Sequence, residues 1–180
     1  PDTNIRDVIH VHINNNNGNF EVTKRIDAGM MVRGVQDGNC IQKINGETPS
    51  EEMTEKYRLT CERSFMYKDY YTYLYGLPMK LKDPGTIIDP EIQNLTFQGK
   101  EYYAIRVTYE KEVGDDIWYF YFDKETFAMS AYKFYHEEAK NDGEYITLEG
   151  EETVNGIKIP KTRAWYYNSD DKHLGTDYLM

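Results

Sequence analysis

Two histidines one residue apart, His10 and His12 in "IHVHIN", would share a face of a strand and could supply half of a metal site. No third ligand lies near them in the sequence, so a polar solvent face on an early strand is the plainer reading. His136 and His173 stand alone. Adjacent carboxylates occur at Asp115–Asp116, Glu137–Glu138, Glu151–Glu152 and Asp170–Asp171. Neighbours in a strand point to opposite faces, which argues against cooperation within a pair. Most of these pairs sit beside turns, where solvation explains them. The segment "NSDDKHLGTD" (Asn168–Asp177) has oxygen-bearing residues, but its spacing does not match an EF-hand loop. There is no Gly-x-Ser-x-Gly, no Gly-x-Gly-x-x-Gly and no phosphate-binding loop, and neither cysteine has a histidine nearby. The expectation is therefore a protein that is not an enzyme, with no catalytic residues, cofactor or metal. Cys40 and Cys61 either form one disulfide in an oxidising compartment or serve as two separate small hydrophobes.

Composition narrows the partners. The 180 residues carry 31 acidic and 21 basic side chains, a net charge of −10, and show no concentrated basic stripe. Phosphate backbones would be repelled, so nucleic acid is not an expected partner. Mean hydropathy is −0.77, and the core must lean on aromatic rings, which 17 tyrosines and 7 phenylalanines can supply. The longest apolar run, "IWYFYF" (Ile117–Phe122), is far short of the roughly 20 residues that span a bilayer as a helix, so no transmembrane segment is expected. The chain opens at Pro1 without an initiator methionine or a signal sequence, which reads as a shortened or a processed chain.

Turn signals recur at short intervals: "NNNNGN", "QDGN", "FQGK", "VGDD", "FDKET", "KNDGE" and "VNGI". Asn-Gly and Asp-Gly pairs accept the positive φ of tight hairpins. Between them lie alternating segments. Tyr103, Ile105, Val107 and Tyr109 share one face, with Tyr102, Arg106, Thr108 and Glu110 on the other. From Gly156 to Asn168 the alternation continues through Ile157, Ile159, Trp165 and Tyr167. Strands this closely spaced leave no room for helical crossovers, which predicts an antiparallel meander.

One region differs. Residues 50–75 lack Gly and Pro, and their apolar positions follow helical spacing, with Ser50 as N-cap and Tyr67, Tyr70, Tyr71 and Leu74 as a stripe. Gly76 fits a left-handed C′ position and Pro78 prevents continuation. The stripe is either ordinary core packing or a lid over a hydrophobic cavity. In "IWYFYFD" both alternating sets are apolar or aromatic, as in a strand covered on both sides.

Three segments, "DGNCIQKINGE" (Asp37–Glu47), "YLYGLPMKLKDPGT" (Tyr73–Thr86) and "DIWYFYFDKETFAMSAYKFYH" (Asp116–His136), carry a family resemblance. They are similar to an uncharacterised family of secreted or envelope-anchored bacterial proteins akin to the outer-membrane lipoprotein carriers. The resemblance implies a mainly β (α+β) fold: a curved antiparallel half-barrel with one or two helices on its concave face. It implies one domain over residues 1–180, with a helical plug at about 50–76 and a β-meander at about 93–180. It also implies a periplasmic, envelope or secreted location, with a lipid anchor before residue 1 as one form. The expected function is non-enzymatic binding of a lipid or other hydrophobic ligand by Tyr67, Tyr70, Tyr71, Leu74, Tyr103, Ile105, Trp118 and Phe120. The alternative is an envelope module that docks another protein and holds no small molecule.

Overall fold

Pairs of left-handed residues punctuate the chain at Asp37-Gly38, Gln98-Gly99 and Asn155-Gly156, each with φ near +50° then +80°. Two consecutive positive φ values give a turn whose twist matches that of antiparallel strands, and these three pairs close three hairpins. The computed structural model describes residues 7–180. The chain divides into two units at Leu77 and Pro78. The architecture is mainly β, with antiparallel sheets that do not close and a bent helix packed on one of them.

The first unit is a four-stranded meander of β1 (Ile9–Asn14), β2 (Asn19–Ile26), β3 (Gly29–Gln36) and β4 (Asn39–Ile44) in sequential order. Register places Phe20 opposite Val35 and Val22 opposite Arg33, with Cys40 and Gln42 continuing the same face on β4. That face carries the helix. Gly34 belongs here because a Cβ would lie 2.2 Å from the Phe20 carbonyl oxygen.

Of the one or two helices expected there, the chain forms two, α1 (Glu51–Tyr57) and α2 (Cys61–Gly76). Ser50 caps α1 as expected, its hydroxyl accepting from the Met53 amide. Arg58 then turns left-handed, and Thr60 caps α2. The break is held from the sheet: buried Arg33 donates from Nη2 to the carbonyls of Tyr57 (3.1 Å) and Arg58 (2.8 Å). Its guanidinium lies 4.7 Å from the centre of the Tyr67 ring. Gly76 does not adopt the left-handed C′ conformation; it is the last helical residue, and Leu77 is extended. The residue before a proline is pushed out of the helical region, so Pro78 alone ends the helix. α2 packs on β3 and β4, burying Tyr71 and Leu74, with the Tyr71 ring stacked on Phe20. A disulfide between Cys40 and Cys61 ties β4 to the first residue of α2.

The second unit is an eight-stranded meander. β5 (Thr86–Ile88) and β6 (Gln93–Phe97) both pair with β7 (Lys100–Tyr109), and the sheet continues through β8 (Ile117–Asp123) and β9 (Met129–Tyr135). It is completed by β10 (Glu144–Glu149), β13 (Thr162–Tyr167) and β14 (His173–Tyr178). Between β10 and β13 the chain makes a separate hairpin, β11 (Glu152–Val154) with β12 (Ile157–Ile159). Pro160 interrupts what the sequence presents as one long strand.

Cutting the disulfide frees a loop spanning a sequence separation of 21. Replacing both cysteines with serine should cost about 3 kcal/mol of unfolding free energy, by loop-closure entropy. Urea titration of the C40S/C61S protein checks this; a loss below about 1 kcal/mol would mean that the bridge does not hold the helix.

Candidate functional site

Register brings the aromatic residues of the second unit into rows. Tyr103 stands opposite Phe122, Ile105 opposite Phe120 and Val107 opposite Trp118, so these six share one face. Across five strands the row Ile105, Phe120, Tyr132, Ile146, Trp165 continues that face. The other face carries Ala104, Tyr121 and Ala131 as a buried cluster, flanked by Leu95, Phe97, Tyr102 and Tyr119. The Phe97 ring covers Tyr121 at 4.9 Å. This is how "IWYFYF" comes to be apolar on both sides: the β6–β7 hairpin folds an aromatic cap over the second face.

At one edge of the first face lies an open groove of about 530 Å³, lined by Ile92, Tyr103, Ile105, Phe122 and Phe127. Tyr103, Ile105 and Phe122 are its floor, supplied by β7 and β8. Its two rims come from outside the strands. Ile92 ends the four-residue interruption between β5 and β6, where Pro90 lies, and is 60% exposed. Phe127 comes from the β8–β9 turn and is 67% exposed, its ring parallel to Tyr103 at 6.1 Å.

The Phe127 rim is set by one carboxylate. Asp123 Oδ1 accepts from the Glu125 amide (3.0 Å), the Thr126 amide (2.9 Å) and the Thr126 hydroxyl (3.0 Å). Its Oδ2 meets Lys100 Nζ at 2.5 Å. Lys100, and then the turn amides, hold this carboxyl well below the usual range. The turn closes with the Phe127 amide on the Asp123 carbonyl, which leaves Phe127 at φ +56°. A bulky residue is rare there, and a glycine would sit without strain. Lys124, the first residue of the turn, places Nζ 5.5 Å from the Tyr103 ring centre and pairs with Glu101 at 3.0 Å.

A second gathering of titratable groups stands at the far end of β8 and β9. His136 Nδ1 lies 2.6 Å from Asp116 Oδ1, and Asp142 Oδ1 accepts from the amides of His136 and Glu137. Asp116, followed by the charges of Asp142 and Glu144, raises the His136 pKa. Burial raises that of Glu144. This cluster closes loops at the ends of the two strands. His10 and His12 are exposed on β1, and among the described residues no three His, Cys, Asp or Glu side chains converge as a metal site. No helix among the described residues is long and apolar enough to cross a membrane.

The eight residues expected to contact ligand fall in two places. Tyr103 and Ile105 line the groove. Trp118 and Phe120 share their sheet face but stack within the aromatic row, with Trp118 on Phe134 at 4.9 Å and Phe120 fully buried. Tyr67, Tyr70, Tyr71 and Leu74 belong to the first unit, where Tyr71 stacks with Phe20, Tyr67 and Tyr75 while Tyr70 is half exposed. Sequence reasoning missed Ile92, Phe122 and Phe127 as groove residues. The usable signal was a phenylalanine immediately after "DKET", in the slot where such a turn favours glycine.

Two outcomes follow from this geometry. A left-handed L-residue costs about 1–2 kcal/mol and a ring pair returns about 0.5–1.5 kcal/mol. Phe127→Gly should therefore change unfolding free energy by less than about 1 kcal/mol; a loss above about 2 kcal/mol would make Phe127 a core residue rather than a rim. The His136–Asp116 pair stabilises fully below the ordinary histidine pKa of 6.5, and that contribution is lost as pH rises through the raised folded-state pKa. The Tm gap between the wild type and His136→Gln should accordingly be widest near about pH 6 and shrink by about pH 9. A gap that widens with pH contradicts the pairing.

A family model described as a family of unknown function, DUF6503, matches residues 2–180. No curated protein matches the sequence. Among solved structures, a domain described as an outer membrane lipoprotein-sorting protein from Vibrio parahaemolyticus is similar at a TM-score of 0.39 and 9% identity. The alignment covers 91% of this chain and 66% of that one, and at this score the likeness carries no argument. The match over residues 2–180 is sufficient by itself: the chain belongs to the DUF6503 family.

Proposed function

We propose that this is a non-enzymatic protein of the bacterial envelope that binds a lipid or another hydrophobic ligand in the groove of the second unit. The observation that carries the reading is the groove itself: its five lining residues are two isoleucines, two phenylalanines and a tyrosine. Its volume falls within the roughly 300–1,000 Å³ of small-molecule sites. The rim supports the same reading. Phe127 is two-thirds exposed on a backbone that favours glycine, a combination that stability alone does not select. The Cys40–Cys61 bridge supports an oxidising compartment. Tyr103 and Ile105 form the floor, Phe122 widens it, and Ile92 and Phe127 close over the bound chain.

Titration with N-phenyl-1-naphthylamine, a neutral fluorescent probe, tests the groove. Saturable enhancement is expected in the wild type, weakened at least about ten-fold in Ile105→Glu, since a charge in an apolar site is strongly disfavoured. Near-ultraviolet circular dichroism confirms that the variant is folded. Absence of saturable binding, or equal binding by a folded Ile105→Glu, would overturn the proposal. It would favour a protein-docking module that uses the exposed Ile92 and Phe127 rims.

A further inference from the structure

The geometry points to the class of ligand: a single-chain amphiphile with a carboxylate head, a long-chain fatty acid, whose head group replaces Glu101 on Lys124. This rests on the hydrophobic-ligand reading above and adds the chemistry of the head. Lys124 and Phe127 lie on the same turn, and both address Tyr103, the ammonium at 5.5 Å from its ring centre and the phenyl ring stacked at 6.1 Å. A cation thus stands beside a ring that lines the apolar trough. The Lys124 side chain is 28% exposed, while its partner Glu101 is 71% exposed. An ion pair to so exposed a carboxylate is worth little and exchanges readily.

The group now on Lys124 is itself a carboxylate, which sets the head-group chemistry that the site accepts. A carboxylate carried on a chain that fills the groove would hold the same contact with its chain removed from water. Each buried methylene tightens binding about four-fold, which Glu101 cannot match from its exposed position. A groove of about 530 Å³ has room for one alkyl chain rather than the bundle of a phospholipid. The net charge of −10 would repel a fatty acid at long range. Screening confines that repulsion to about 8 Å at physiological ionic strength.

Binding of hexadecanoate, hexadecyl phosphate and hexadecanol to the full chain, by isothermal titration calorimetry below their micelle-forming concentrations, tests the assignment. Hexadecanoate should bind about ten-fold tighter than hexadecanol, a preference abolished in Lys124→Gln. Glu101→Gln removes the competitor and should tighten hexadecanoate several-fold without changing hexadecanol. Glu101 is exposed and Lys124 lies on a turn, and near-ultraviolet circular dichroism checks that both variants are folded. Equal binding of acid and alcohol, or no response to either variant, overturns the carboxylate assignment while leaving the groove intact. Hexadecyl phosphate bound more tightly than hexadecanoate overturns it in favour of a phosphate head. Failure of all three chains to bind removes the hydrophobic-ligand reading itself.

Discussion

A single carboxylate organises the groove edge of the second unit. Asp123 gathers two backbone amides, a hydroxyl and an ammonium, and by doing so fixes the β8–β9 turn in one conformation. That conformation carries Phe127 into the left-handed region and sets its ring against Tyr103. It also starts Lys124 on the path that ends over the same ring. Without the turn there is a floor but no wall. The hydrogen bonds around Asp123 impose that conformation, and the ring contact with Tyr103 offsets part of what a phenylalanine costs there.

The same economy governs the strands. β8 has no polar face, and an uncovered aromatic face would invite edge-on association or aggregation. On one side Tyr121 lies between Ala104 and Ala131, small residues that leave room for the Phe97 ring to settle on it. On the other side the rings of Trp118, Phe120, Tyr132 and Phe134 fill one another's gaps. At the edge beside β5 and β6 that packing ends, and the groove begins where the row loses its next partner. In the first unit a buried arginine and a disulfide do equivalent work. Arg33 satisfies the carbonyls released by the helix break, and Cys40–Cys61 anchors the following helix to β4.

Much of the architecture was legible because it is local. Asp37-Gly38, Gln98-Gly99 and Asn155-Gly156 announce their turns by residue type, and the alternation from Tyr102 to Tyr109 announces a strand with two distinct faces. The Ser50 cap and the stop at Pro78 depend on neighbouring atoms alone. The helix break at Arg58 was not legible, because its cause is an arginine 25 residues earlier on β3. Nor was the groove. Ile92 and Phe127 are far apart in sequence, and each sits in a segment that reads as a polar connector. They meet across the sheet only once register sets Tyr103 opposite Phe122 and Ile105 opposite Phe120. Of the tyrosine stripe, Tyr71 and Leu74 are buried on the first sheet, whereas Tyr70 is half exposed, because the helix turns only part of the stripe inward.

The central claim is that the groove on β7 and β8 holds a hydrophobic chain. It is tested most directly by methyl NMR of isoleucine-labelled protein titrated with deuterated hexadecanoate. The account predicts that the Ile92 and Ile105 methyl signals shift and saturate together, while those of Ile117 and Ile159 stay fixed. Shifts confined to isoleucines of the first unit, or no saturable shift at Ile92 and Ile105, would contradict it.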